Sequence, residues 1–329
     1  MGIHSLTTTI AAFLEFVRTP VSMCSAAILI FVIALWTAKT DIAQATGLDK
    51  VVALRNLCFA APLAVFGALH LSDVKAVLPG VPSYMPWRLF IAYFVGVALL
   101  AASLSIATQI QVRWSGLLFG IMMFLFVGML MIPGALANPK DRFAWTIVLR
   151  ESSFGGGGWI LAGSALSEQG RSKGGGKLTT VGRVLVAIAA MVYGVEHFLH
   201  PAGALGVPLP KLTPGWIPGR LFIGYLTGAI LLVAGICILL GRNTRRAATY
   251  LGTWIVLLVV FIYGPILIVS LANPSTTVKV EGIDYFFDTL LFAGPILALA
   301  SAMPRPSLIN QRIIGSGTST TPQAPLYLA

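Results

Sequence analysis

Ten side chains in this 329-residue sequence have types and spacings suited to moving protons or holding negative charge, and they fall into two matched sets. The first is His70, Arg88, Tyr93 and Glu151; the second is His197, Arg220, Tyr225 and Asp288, to which Glu196 and His200 add an i, i+4 pair on one helix face. A histidine and a carboxylate together can exchange protons with a reduced headgroup, and a neighbouring arginine steadies the negative charge that develops. Tyr93 and Tyr225 follow their arginines at the same distance and are candidates to line a substrate. Each group also has a plainer reading. The arginines can snorkel to a membrane interface, the histidines can be hydrogen bonders at helix ends, and Glu151 and Asp288 can form internal ion pairs with Arg88 and Arg220. Glu196, His197 and His200 resemble half a metal site, but no further Cys or His completes it, so neither a metal nor haem is expected. Cys24, Cys58 and Cys237 lie singly within apolar runs with no Cys-x-x-Cys pair, which reads as buried structural thiol.

The elements that must position these groups are membrane helices. Hydrophobic residues make up 57% of the chain and charged residues 10%, and the mean hydropathy is +0.88; a soluble globular chain carries about 25% charged residues. Ionisable side chains at the centre of such helices cost about 2.5–3.5 kcal/mol each, so repeated ones require partners or a function. Apolar runs predict helices at about 20–38, 52–71, 86–108, 114–136, 143–165, 181–200, 217–240, 247–272 and 283–302. The first run is longer than a usual signal-peptide core, although Ala43-Gln44-Ala45 would suit cleavage. The net charge of +11 is expected to reflect basic cytoplasmic loops and not nucleic-acid binding, because no run of like charges is present. Thirteen of the 22 Lys and Arg residues fall on one side of a nine-helix topology. That places the N-terminus outside and the C-terminus in the cytoplasm of a multi-pass inner-membrane protein.

A duplication organises the helices. Pro82 to Gly96 aligns without gaps on Pro214 to Gly228, sharing Pro, Pro, Arg, Leu, Phe, Ile, Tyr and Gly at matching places. Val65 to His70 matches Val192 to His197, and Leu136-Ala137-Asn138-Pro139 matches Leu271-Ala272-Asn273-Pro274. Four helices per copy return the chain to its starting side, so the copies must be parallel. The expected fold class is all-α integral membrane: an N-terminal segment with one helix (1–50), a four-helix repeat (51–166), a Gly-rich cytoplasmic linker (167–180), a second four-helix repeat (181–302) and a disordered polar tail (303–329). Pro86 and Pro218 suit a first helical turn. Ala92 with Gly96, and Gly224 with Gly228, make faces for close helix approach, as does the run Gly155 to Gly158.

Through Phe66-Gly67-x-x-His70, the Val81-Pro82-x-x-x-Pro86 loop and Gly96, and again through Tyr193-Gly194-x-x-His197 and Pro214 to Gly228, the chain resembles the DoxX family of four-helix membrane proteins in two copies. The family's name comes from a membrane subunit of a thiosulfate:quinone oxidoreductase. The resemblance therefore implies a subunit that binds quinone or another lipid-soluble substrate and works with a soluble or membrane redox partner. Relatives carry His and Arg around an Ile-Pro pair, where this chain has Met131 and Gly134. A small-molecule or ion transporter fits the parallel repeats and intramembrane charges equally well, and a non-catalytic scaffold needs no site at all. No flavin, nicotinamide or iron–sulfur motif is present, so any redox cofactor would be a quinone or belong to a partner.

Overall fold

The computed structural model describes residues 3–168 and 172–304, with side chains described over 19–166 and 176–304. In chain order the helices are α1 (Ile3–Gln44), α2 (Asp49–Ala53), α3 (Arg55–Ser72), α4 (Val74–Val77), α5 (Arg88–Thr108), α6 (Val112–Phe126), α7 (Ile132–Ala137), α8 (Arg142–Glu168), α9 (Ser172–Leu199), α10 (Arg220–Leu239), α11 (Thr244–Leu258), α12 (Gly264–Ala272) and α13 (Thr276–Ala302). Among the described residues, seven helical segments are long and apolar enough to cross a membrane, and Arg55–Ser72 meets that standard only together with Val74–Gly80, from which it is bent by 102°. The protein is accordingly an all-helical, multi-pass membrane protein.

Two expectations about boundaries change. Helix α8 runs to Glu168 and α9 starts at Ser172, so most of the segment expected to be a flexible linker is helical, and 169–171 lie outside the described residues. Small and charged residues at an exposed helix end need no apolar face; Thr180 Oγ1 simply closes a turn onto Gly176 O at 2.8 Å. The tail from 305 onward also lies outside the described residues. Pro86 and Pro218 stand two residues before their helices and not in the first turn, because Trp87 (φ 53°) and Gly219 (φ 66°) turn the chain left-handed between them.

The packing is a ring around two central helices. Helix α3 packs on α5 and on α13; α8 packs on α6 and α9; α9 packs on α10, α11 on α13, and α8 meets α13 in the middle, while α1 lies against α3 and α5. Burial follows: 83% of the apolar window of α13 is buried, against 22% for Thr244–Ala272, which faces the surroundings. Helix α8 is less apolar than these segments, because it carries Arg150, Glu151, Ser152, Ser153 and four consecutive glycines. Its glycine run meets a different neighbour at each residue: Gly155 faces Phe124, Gly156 faces Gly182, Gly157 faces Pro295 and Gly158 faces Gly116.

Segments that align in sequence take the same local structure. Gly67 sits against Gly96 O and Gly194 against Gly228 O, so bare backbone lets α3 approach α5 and α9 approach α10. A π-helical turn precedes each third-helix proline, over Val127–Met131 before Pro133 and over Val259–Tyr263 before Pro265. Pro133 cannot donate to Met129 O one turn back, and the Tyr84 hydroxyl donates to that carbonyl at 3.3 Å. Left-handed residues also coincide: Trp87, Gln109 and Gln111 in the first copy stand where the second has Gly219, Gly241 and Asn243. A left-handed conformation costs a side-chain-bearing residue roughly 1–2 kcal/mol, and Gly or Asn much less, so Trp87, Gln109 and Gln111 carry strain that Gly219, Gly241 and Asn243 avoid.

Candidate functional site

The intramembrane charges converge where α8 meets α13. Arg150 is the hub: its Nη1 donates to Asp288 Oδ2 at 2.7 Å, and its Nη2 and Nε donate to Glu151 Oε1 at 2.7 and 3.1 Å. The three side chains are 11–18% exposed. One turn before Asp288, Asp284 lies within electrostatic reach of both Asp288 and Arg150, and its Oδ1 is buried with no hydrogen-bond partner among the described residues. Tyr193, fully buried on α9, closes the cluster: its ring lies 5.4 Å from Phe292 and its hydroxyl donates to Thr146 O at 3.0 Å. The contact of Gly157 with Pro295 lies seven residues beyond Arg150 on α8 and seven beyond Asp288 on α13. The two helices therefore run parallel and in register at this point.

Neither Arg88 nor Arg220 is the partner of Glu151 or Asp288. Arg88 is the first residue of α5 and folds back on its own loop, with Nε to Val81 O at 2.9 Å and Nη2 to Leu78 O at 3.0 Å. Arg220 does the same to Thr213 O at 2.8 Å. Arg150, by contrast, stands beside Glu151 on α8 and reaches Asp288 on α13. Glu151 of α8 and Asp288 of α13 thus come together on Arg150 of α8.

The histidines are clips. His70 Nδ1 lies 2.7 Å from Phe66 O and His197 Nδ1 lies 2.7 Å from Tyr193 O. The Gly206 N–H donates to His197 Nε2 at 3.0 Å, so that ring is a neutral imidazole donating from Nδ1 and accepting at Nε2. Glu196 is taken by Arg142 at 2.5 Å, which ties α9 to the start of α8. His200 is exposed, and Tyr93 and Tyr225 point away from the core at 40% and 47% exposure. Glu196, His197 and His200 therefore separate, and among the described residues no group of three or more His, Cys, Asp or Glu could hold a metal ion. The residues that sequence reasoning passed over are Arg150, Asp284 and Tyr193. The signals were there: a basic–acidic neighbour pair inside an apolar run, and Asp284 and Asp288 at i, i+4 on one helix face.

Two cavities lie along α13. One, of about 180 Å³, lies between α12, α13 and the loop before α10, bordered by Tyr263, Tyr285, Ser270, Lys211 and Glu281. Tyr263 donates to Leu205 O at 2.7 Å, and Tyr285 accepts from the Lys211 N–H at 3.1 Å. The other, of about 680 Å³, lies at the opposite end, where α13 finishes at Ser301 and Ala302. The charged cluster sits between them. No family model matches the chain, and it has no significant match among curated proteins or solved structures.

Proposed function

We propose that this protein is a membrane carrier that exchanges protons at the cluster formed by Arg150, Glu151, Asp284 and Asp288. The carrying observation is the charge count. Three carboxylates and one guanidinium, all ionised, would leave a net charge of minus two in the middle of a helix bundle. Uncompensated charge away from water costs several kcal/mol, so the cluster lowers that charge by binding a proton, and Asp284, whose Oδ1 has no partner among the described residues, is the place for it. A proton site flanked by a cavity at either end of the same helix is the arrangement a coupled carrier needs. The reading takes the chain as nine spans in one N-terminal helix and two parallel four-helix copies of DoxX type. The N-terminus then lies outside an inner membrane, by the distribution of basic residues. The in-register meeting of α8 with α13 supports the parallel relation.

Infrared difference spectra at neutral pH test it. The wild type is expected to show the carbonyl stretch of a protonated carboxylic acid, lost in Asp284→Asn and kept in Glu281→Gln. A wild-type spectrum without that band would rule out a stored proton.

A second reading, the quinone-binding redox subunit, is favoured by the smaller cavity. Its size suits a single substituted ring, and Tyr285 on its wall adjoins Asp284 in sequence. Organic extraction of the purified protein should then release a quinone that Tyr263→Phe fails to retain. Extracts free of quinone would leave the carrier reading alone.

A further inference from the structure

The larger cavity has the chemistry of an anion site, and nothing in the proton cluster accounts for it. It opens at the end of the bundle where α3 starts, α5 turns into α6 and α13 finishes. Arg55, Asn56, Gln109, Gln111 and Arg113 contribute polar side chains to its wall, and among the described residues that line it there is neither Asp nor Glu. Asn56 is only 7% exposed and borders this space. Arg113 lies over the Trp114 ring at 4.6 Å and Arg55 reaches Asp41 only at 3.8 Å, so both guanidiniums keep donors for another group.

Comparison of the two copies shows that the space is not a by-product of the fold. The residue aligned with Asn56 is Arg183, whose Nη1 donates to Ile238 O at 2.9 Å and Leu239 O at 3.4 Å and fills the corresponding place in the second copy. The turn there uses Gly241 and Asn243, which take left-handed backbone readily, whereas the first copy holds Gln109 (φ 61°) and Gln111 (φ 58°) in that conformation. One copy is thus plugged and relaxed, the other open and strained. Strain kept at wall positions of a polar cavity, when the same chain contains the relaxed solution, marks those side chains as selected for what they reach.

We infer that this cavity binds a phosphate group. Two guanidiniums and three amides supply donors in excess of acceptors, which suits a tetrahedral dianion with several acceptor oxygens. A volume of about 680 Å³ leaves room for an organic remainder beside it. That remainder is either a small soluble phosphate ester or the body of a phospholipid whose headgroup enters the cavity. Binding here stands apart from the proton reading.

The test uses the full chain, delipidated in detergent. Equilibrium dialysis against labelled inorganic phosphate is expected to show saturable binding, weakened roughly tenfold or more in Arg55→Gln and Arg113→Gln and unchanged in Lys140→Gln, an exposed loop residue elsewhere. Gln111→Gly guards against misfolding as the cause. It should melt higher than wild type, because the left-handed strain is relieved, yet bind phosphate more weakly. Native mass spectrometry after extraction from phosphatidylglycerol nanodiscs distinguishes the source. Lipid held by wild type and lost in Arg113→Gln assigns the site to a headgroup, whereas phosphate binding without lipid retention assigns it to a soluble ester. Neither probe binding, or equal loss in Lys140→Gln, overturns the inference. Phosphate binding in a protein without the Asp284 infrared band keeps this site and removes the proton reading, and the converse pair of results does the reverse.

Discussion

Replacing Arg150 with methionine is expected to destabilise the protein by about 3–5 kcal/mol, the usual cost of stranding a buried charge by deleting its partner. Three hydrogen bonds to two carboxylates go at once. Glu151 and Asp288 then face each other and Asp284 with no cation among them. Methionine fills much of the arginine's volume, so the loss measures charge and not a hole. The thermal melt in detergent should fall by many degrees, and the yield of folded protein with it. Adding Glu151→Gln and Asp288→Asn to Arg150→Met should recover most of the stability, because a neutral cluster needs no counter-charge. A single Arg150→Met variant that melts beside wild type would mean that the carboxylates are already neutral without it.

The second large effect belongs to Gly157. A Cβ there would lie 2.3 Å from Pro295 Cγ, 2.6 Å from Pro295 Cβ and 3.0 Å from Phe59 Cε2. A proline ring has no rotamer to move to, so the α8 and α13 backbones must part. Overpacking of ordinary cores costs about 1–3 kcal/mol, and here Gly157→Val adds three carbons against a rigid ring. The separation would also be felt two turns away, where Arg150 must still reach Asp288. Gly157→Val should therefore abolish the monodisperse peak in size exclusion, whereas Gly134→Ala, at a position with open space around it, should leave the profile unchanged. A well-behaved Gly157→Val protein would mean that α8 and α13 can meet in some other way.

Both positions show what could be read from residues alone and what could not. The helices were legible because apolar runs bounded by turn residues report a bilayer whatever packs against them. Glu151 and Asp288 were legible because a carboxylate at matched places in two copies is hard to dismiss as surface. Their partner was not. Pattern within one copy suggests that a helix finds its neighbours in that copy, so Arg88 and Arg220 were the natural cations, and only the packing of α8 on α13 reveals Arg150 as the shared one. The Gly155 to Gly158 run was legible as a close-packing surface, but not that each glycine serves a different neighbour. The helical residues after Ser172 were read as linker because glycine-rich polar sequence carries no apolar face, and helix extension beyond the core leaves no such mark.

The ring also sets an order for biogenesis. When synthesis has reached the end of α8, the first part of the chain already holds Arg150 beside Glu151, a locally neutral pair. Helix α13, synthesised after α8 and carrying Asp284 and Asp288 with the lowest mean hydropathy of the seven candidate spans at 1.5, has little reason to remain in lipid by itself. It is admitted by a receptor built earlier, a guanidinium with donors to spare beside a strip of bare glycine backbone. Insertion of α13 is thus a templated step, in which Arg150 admits a helix that brings carboxylates to it.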